Sequence, residues 1–172
     1  MFALVKNAAR SCVRMLDKIA WSGPLIVRLT VGLVFVVSGW GKLHNLEQVT
    51  GFFTDLGIPA PGAQAAFVSS VEFIGGLLII TGLATRVAAA LLIGVMAVAI
   101  GTAKWPEIHG VADLANTIEM AYLAMFVWLL VQGGGALSLD RLIDRRAGPL
   151  LGSPLGRAAP RVAKPGDPEV NS

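Results

Sequence analysis

The sequence predicts an all-α integral membrane protein, a four-helix bundle with both termini in the cytoplasm. Three observations predict it. Of 172 residues, 55% are hydrophobic and 15% charged, and mean hydropathy is positive, which is too apolar for an ordinary soluble domain. Four apolar stretches, 24–41, 66–83, 87–103 and 114–131, approach the roughly 20 helical residues that cross a hydrocarbon core of about 30 Å. Lys and Arg are sorted by side: four precede the first stretch, Arg86 sits in the second connection and six follow the last, against Lys42 and Lys104 across the membrane. The positive-inside rule then places both ends in the cytoplasm.

A soluble helical core would need polar outer faces, and these stretches have none. The net charge of +3 comes from the ends, where it suits an anionic membrane surface and carries no nucleic-acid signature. Cys12 is the only cysteine, so an intrachain disulfide or a thiolate metal cluster is excluded. His44 and His109 fall in connections without the paired spacing of a metal or haem site, and no metal is expected.

In chain order, residues 1–22 read as an interfacial amphipathic helix that is not cleaved. Lys6, Arg10, Arg14 and Lys18 recur every fourth residue, and Val5, Ala9, Cys12, Val13, Leu16 and Ile19 fill the other side. The run Phe2 to Val5 is too short for the apolar core of a targeting signal. Gly23 and Pro24 open the first span, since proline in a first turn forfeits no hydrogen bond. In the outer connection, Leu46, Val49, Phe52, Phe53 and Leu56 recur at helical spacing before Gly57, Pro59 and Pro61, predicting a short helix on the outer interface. The four-helix domain covers 23–141. Residues 142–172 are rich in Pro, Gly, Arg and Ala and are expected to be a disordered basic tail that can touch anionic headgroups.

The first span carries Arg28, Gly32, Phe35, Gly39 and Lys42 at intervals of 4, 3, 4 and 3, which is one helix face. Glycines let a neighbouring backbone come close, and charges avoid lipid, so this face points into the bundle. The third span repeats the spacing with Gly94, Ala97, Gly101 and Lys104, and five of fourteen positions match between 29–42 and 91–104. A duplicated helical hairpin and chance similarity within an apolar alphabet both account for this.

Glu72 and Glu119 each stand about six residues inside the outer end of their stretch, about 9 Å deep at helical rise. A carboxylate there costs several kcal/mol unless protonated, hydrated or paired, so both are candidate ligand or proton sites. Gly75 and Gly76 beside Glu72 mark a packed face. Lys42 is the cation best placed to reach Glu72, whereas Arg28, about 6 Å in from the opposite boundary, is expected to snorkel to the cytoplasmic headgroups, and boundary anchoring serves equally for Lys42 and Lys104. Trp21, Trp40, Trp105 and Trp128 lie near span ends, where indole suits the interface.

The segments RLTVGLVFVVSGWGKL, GIPAP, VEFIGGLLIITGLATRVAAALL and IEMAYLAMFVWLLVQGGGALSLD, in this order and spacing, resemble the DoxX family of small membrane proteins. The resemblance covers about 25–141. The positions that match the family pattern are Arg28, Gly32, Gly39, Lys42, Pro59, Glu72, Gly75, Gly76, Gly82, Arg86, Glu119, Gly133, Gly135, Ser138 and Asp140.

The resemblance implies a four-helix protein of the bacterial inner membrane. Some members of that family are subunits of a thiosulfate:quinone oxidoreductase, others look like quinone-stress proteins or partners of redox enzymes, and a distant branch resembles cargo receptors. With no haem ligand pair, Rossmann fingerprint, P-loop or cysteine couple in the sequence, no cofactor is evident and catalytic residues are not assigned. Three functions follow as expectations. The first is an accessory subunit of a membrane oxidoreductase, binding a quinone or other apolar ligand with Glu72 and Glu119 handling protons. The second is a non-catalytic assembly module that recruits a protein partner. The third is a small-solute transporter, for which four helices would have to form a homo-oligomer.

Overall fold

The computed structural model describes residues 21–105 and 108–147. The helices are α1 (Ser22–His44), α2 (Leu46–Asp55), α3 (Pro61–Thr81), α4 (Thr85–Ala99), α5 (Val111–Ala115), α6 (Ile118–Gln132) and α7 (Leu139–Ala147). A π-helical turn, Ile100–Lys104, continues α4. Of the amphipathic helix expected over 1–22, residues 1–20 lie outside the described residues, as does the chain beyond Ala147. Within them α7 is helical through Ala147, past the boundary expected at 141.

Three of these helices, Ser22–His44, Pro61–Thr81 and Thr85–Lys104, are long and apolar enough to cross a membrane. The fourth apolar helix is shorter than expected. It starts at Ile118, not near Leu114, and its 15 residues rise only about 22 Å. The break falls at Thr117: α5 ends with the Asn116 amide on the Ala112 and Asp113 carbonyls, the Thr117 hydroxyl donates to the Leu114 carbonyl at 2.8 Å, and the Thr117 backbone is extended (φ −74°, ψ 138°). Thr makes such local side-chain bonds at the expense of helix continuation.

The helix α1 packs against α3, and α4 against both α3 and α6. Close approach of α1 and α3 depends on glycine. A Cβ on Gly39 would strike the Phe73 backbone nitrogen and lie 2.8 Å from Phe73 Cα, and one on Gly76 would sit 2.9 Å from the Gly32 carbonyl oxygen. Gly75 faces the Leu92 side chain of α4, 3.2 Å from where its Cβ would be. Gly94 and Gly101 behave differently. A Cβ on either meets nothing within 4 Å, so the expectation that they pack against a neighbouring helix is not met within one chain. The face of α4 that packs inward carries Ala88, Ala89, Leu92 and Met96 instead.

The core is formed by Val31 and Phe35 of α1, Ile79 of α3, the four α4 residues and Phe126 and Leu129 of α6. Phe35 meets Tyr122 and Phe126 edge-on, with centroids 5.4 and 4.9 Å apart. Val37, Phe67, Val87 and Val98 point outward, the arrangement of a bundle whose solvent is lipid.

Candidate functional site

Polar side chains gather at two levels of the bundle. The outer cluster is built where α1 and α3 touch through Gly39. Glu72 is 3% exposed at its side chain and accepts from Lys42 Nζ at 2.6 Å, with Oε1 as acceptor, while the Lys42 side chain is 38% exposed. The stem of Lys42 therefore runs inward along the helix while part of the side chain stays open. Ser38 donates to the other carboxylate oxygen at 3.0 Å. Ser38 was not singled out in the sequence, although it stands one turn before Lys42, where an i, i+4 pair shares a face.

Glu119 is the second residue of α6, one turn outward of Tyr122 on the side that carries Tyr122 and Phe126. Phe35 stacks between those two rings, so at about 1.5 Å per residue Glu119 falls level with the Ser38 to Lys42 turn of α1. No hydrogen bond joins Glu119 to Glu72. The Oε2 of Glu119 is buried without a hydrogen-bond partner, in contrast to the doubly bonded Glu72. Its place in the first turn of α6 gives partial compensation from the positive end of the helix dipole.

The inner cluster overturns the expectation for Arg28. Arg28 does not snorkel; it is 1% exposed. Its guanidinium donates to four carbonyls: Nε to Ile79 at 2.8 Å, Nη2 to Ile80 at 2.6 Å, and Nη1 to Gly134 at 2.7 Å and Leu137 at 3.0 Å. The reason lies at the end of α3. Gly82, left-handed at φ 70°, closes a Schellman turn, with Leu83 N–H on Leu78 and Gly82 N–H on Ile79, which still leaves the Ile80 carbonyl and a second lone pair on Ile79 to be satisfied. Arg28 takes them, placing a cation at the negative end of the α3 dipole.

Asp140 completes the inner cluster. Its Oδ1 accepts from the Ala84 amide at 2.7 Å and its Oδ2 from the Thr85 amide at 3.1 Å, capping α4 from another helix. Its own amide donates to the Gly82 carbonyl at 3.0 Å. Ser138 Oγ accepts from the Arg141 amide at 3.2 Å and so caps α7. Thr85 Oγ1 is buried without a partner. This network joins residues more than fifty positions apart, and no local pattern announced it.

The arrangement can hold a proton or a hydrogen-bonding ligand at the outer level and ties helix ends together at the inner one. Lys104 ends the π-helical turn. His44 Nδ1 donates to the Trp40 carbonyl at 2.9 Å. Among the described residues no three His, Cys, Asp or Glu side chains converge to hold a metal ion.

A family profile described as DoxX matches residues 23–105. The Mycobacterium tuberculosis protein named "Uncharacterized membrane protein Rv3486" is 34% identical over 157 residues, covering 84% of this chain and 96% of that protein. "Putative oxidoreductase CatD" of Bacillus subtilis is 31% identical over 123 residues, 70% of this chain and 87% of its own length. "Inner membrane protein YqjF" of Escherichia coli is 28% identical over 124 residues, 72% and 94% respectively. No solved structure matches. With several apolar membrane-crossing helices and relatives of the inner membrane, the protein is a multi-pass inner-membrane protein. It belongs to the DoxX family.

Proposed function

We propose that the protein is an accessory subunit of a membrane oxidoreductase and binds a quinone or a similar apolar ligand at its outer polar cluster. The observation that carries this reading is the buried, unpartnered Oε2 of Glu119. A desolvated carboxyl oxygen with no donor is costly, and a proton or the O–H of a bound ligand satisfies it. The half-buried Tyr122 ring lies one turn further in, backed by the buried Phe35, and gives a bound ring an aromatic neighbour. Glu72 and Lys42 hold the neighbouring charge fixed. The name of the Bacillus subtilis relative supports a redox setting.

The test is purification in nanodiscs with its native partners, mass spectrometry of bound quinones, and quinone-linked turnover of the assembly. Glu119→Gln keeps the shape and loses the acid; the expected result is several-fold less retained quinone and turnover in a protein that still elutes as folded. Unchanged quinone content and turnover would reject the reading.

One observation favours a second reading, a non-catalytic assembly module. Both oxygens of Glu72 are satisfied by α1 side chains, as in a pair that only holds helices together. Under it Glu72→Gln lowers bundle stability, Glu119→Gln changes nothing, and partner proteins co-purify without quinone. In either reading both termini are cytoplasmic, where the basic segments meet the partner.

A further inference from the structure

The inner cluster fixes α7 in place and in roll. Arg28 holds the Leu137 carbonyl just before it, Ser138 caps its first turn, and Asp140 reaches the Ala84 and Thr85 amides at the start of α4. The helix thus begins at the level where α1 and α4 start and α3 ends, which is the rim of the membrane-crossing bundle.

With Asp140 turned toward α4, the remaining faces are determined by the 100° step of a helix. Leu139, Leu142 and Ile143 share one arc, centred about a quarter turn from Asp140, and Arg141 falls roughly opposite that arc. All three apolar residues are exposed, at 41, 47 and 38%, and Leu137 before them is 55% exposed. Arg141 is exposed. At the same rim, in the first turn of α4, stands exposed Arg86, whose Nη2 donates to the Val131 carbonyl at 3.2 Å. With Asp140 engaged by amides, the α7 sequence carries Arg141, Arg145 and Arg146 against Asp144 alone.

We infer that α7 is a lipid-docking helix whose Leu139, Leu142 and Ile143 face inserts at the rim of the bundle into the adjoining leaflet, with its arginines meeting anionic headgroups. The geometry over Leu139–Ile143 matches the chemistry of an interfacial helix, which has low overall hydropathy, an apolar arc on one side and basic residues around it; by the 100° step Arg145 falls near Arg141, and Arg146 continues the line of the apolar arc one turn on. Two features choose lipid over a protein occupant: the helix is anchored to the rim, so its apolar arc continues the lipid-facing surface of the spans, and the charge its sequence carries after Asp140 is net positive, as an anionic leaflet requires. The docking is independent of any ligand at the outer cluster.

The experiment uses the full chain with Cys12→Ser, carrying a single nitroxide on Ile143→Cys or Arg141→Cys, in nanodiscs of phosphatidylcholine alone or with about one third phosphatidylglycerol. Collisions with oxygen report lipid, and collisions with a water-soluble nickel chelate report water. Expected is a several-fold higher oxygen-to-nickel ratio at Ile143 than at Arg141, widening when phosphatidylglycerol is present. Equal ratios at the two sites would overturn the proposal, as would protection of Ile143 from both reagents, the sign that a second copy or residues 1–20 cover it. A ratio indifferent to phosphatidylglycerol would overturn the headgroup contact. A misfolded label site is recognised by thermal unfolding, and Leu142→Cys then replaces Ile143→Cys.

Discussion

Arg28 makes more of its own hydrogen bonds across the bundle than any other described side chain, and its fork explains why: one planar group reaches the end of α3 and the α6–α7 loop together. Lysine carries the charge but has no such fork. Arg28→Met orphans several carbonyls, and Arg28→Lys satisfies only some of them. The expected loss is about 3 kcal/mol for Arg28→Met and a smaller loss for Arg28→Lys, by analogy with removal of one partner from a buried charged network. Denaturant titration in mild detergent checks the order, and a Met variant as stable as the parent would refute the role given to Arg28. The sequence displayed Arg28 and its distance from a boundary. It did not display the four carbonyls, because these belong to backbone brought in from residues 79–80 and 134–137.

At the scale of elements, the glycines of α1 and α4 look alike in sequence and differ in surroundings. Gly39 touches the Phe73 backbone, while Gly94 touches nothing. Gly39→Ala is therefore expected to cost about 1–3 kcal/mol through overpacking, and Gly94→Ala to be neutral or to gain up to about 1 kcal/mol from helix propensity. Parallel thermal melts of the two variants compare them. A penalty at Gly94 equal to that at Gly39 would show that something packs there after all. The spacing of small residues tells which positions share a face but not which face meets a neighbour, since rotation is set by packing. The break before α6 was equally hidden: apolar composition ran through 114–131, and the helix stops where Thr117 turns extended and its hydroxyl bonds the Leu114 carbonyl.

At the scale of the molecule, α6 is too short for a straight crossing at ordinary thickness, yet it returns the chain to the level where α1 begins, because Gly134 and Leu137 both bond to Arg28. Local thinning of the bilayer, with flanking residues snorkelling to the interface, accommodates such a short helix. The proposed topology puts the two ends on one side, and the Lys and Arg distribution favours the cytoplasm for that side. Fusions of green fluorescent protein and of alkaline phosphatase to Ser172 test this: fluorescence without phosphatase activity is expected, and the reverse would invert the topology.

By itself the sequence determined the solvent of this protein, the helical class, the family and the identity of its membrane charges, because hydropathy and period are properties of neighbouring residues. Lys42 and Glu72 were also legible as partners, since their depths can be counted along two helices. Tertiary structure alone decided the rest. Arg28 is an internal staple, Ser38 is the second donor to Glu72, Glu119 has a buried oxygen left over, and Asp140 caps a helix fifty-five residues before it in the chain. Each depends on which backbone atoms are left unsatisfied once helices end and pack, and that is set by the whole bundle.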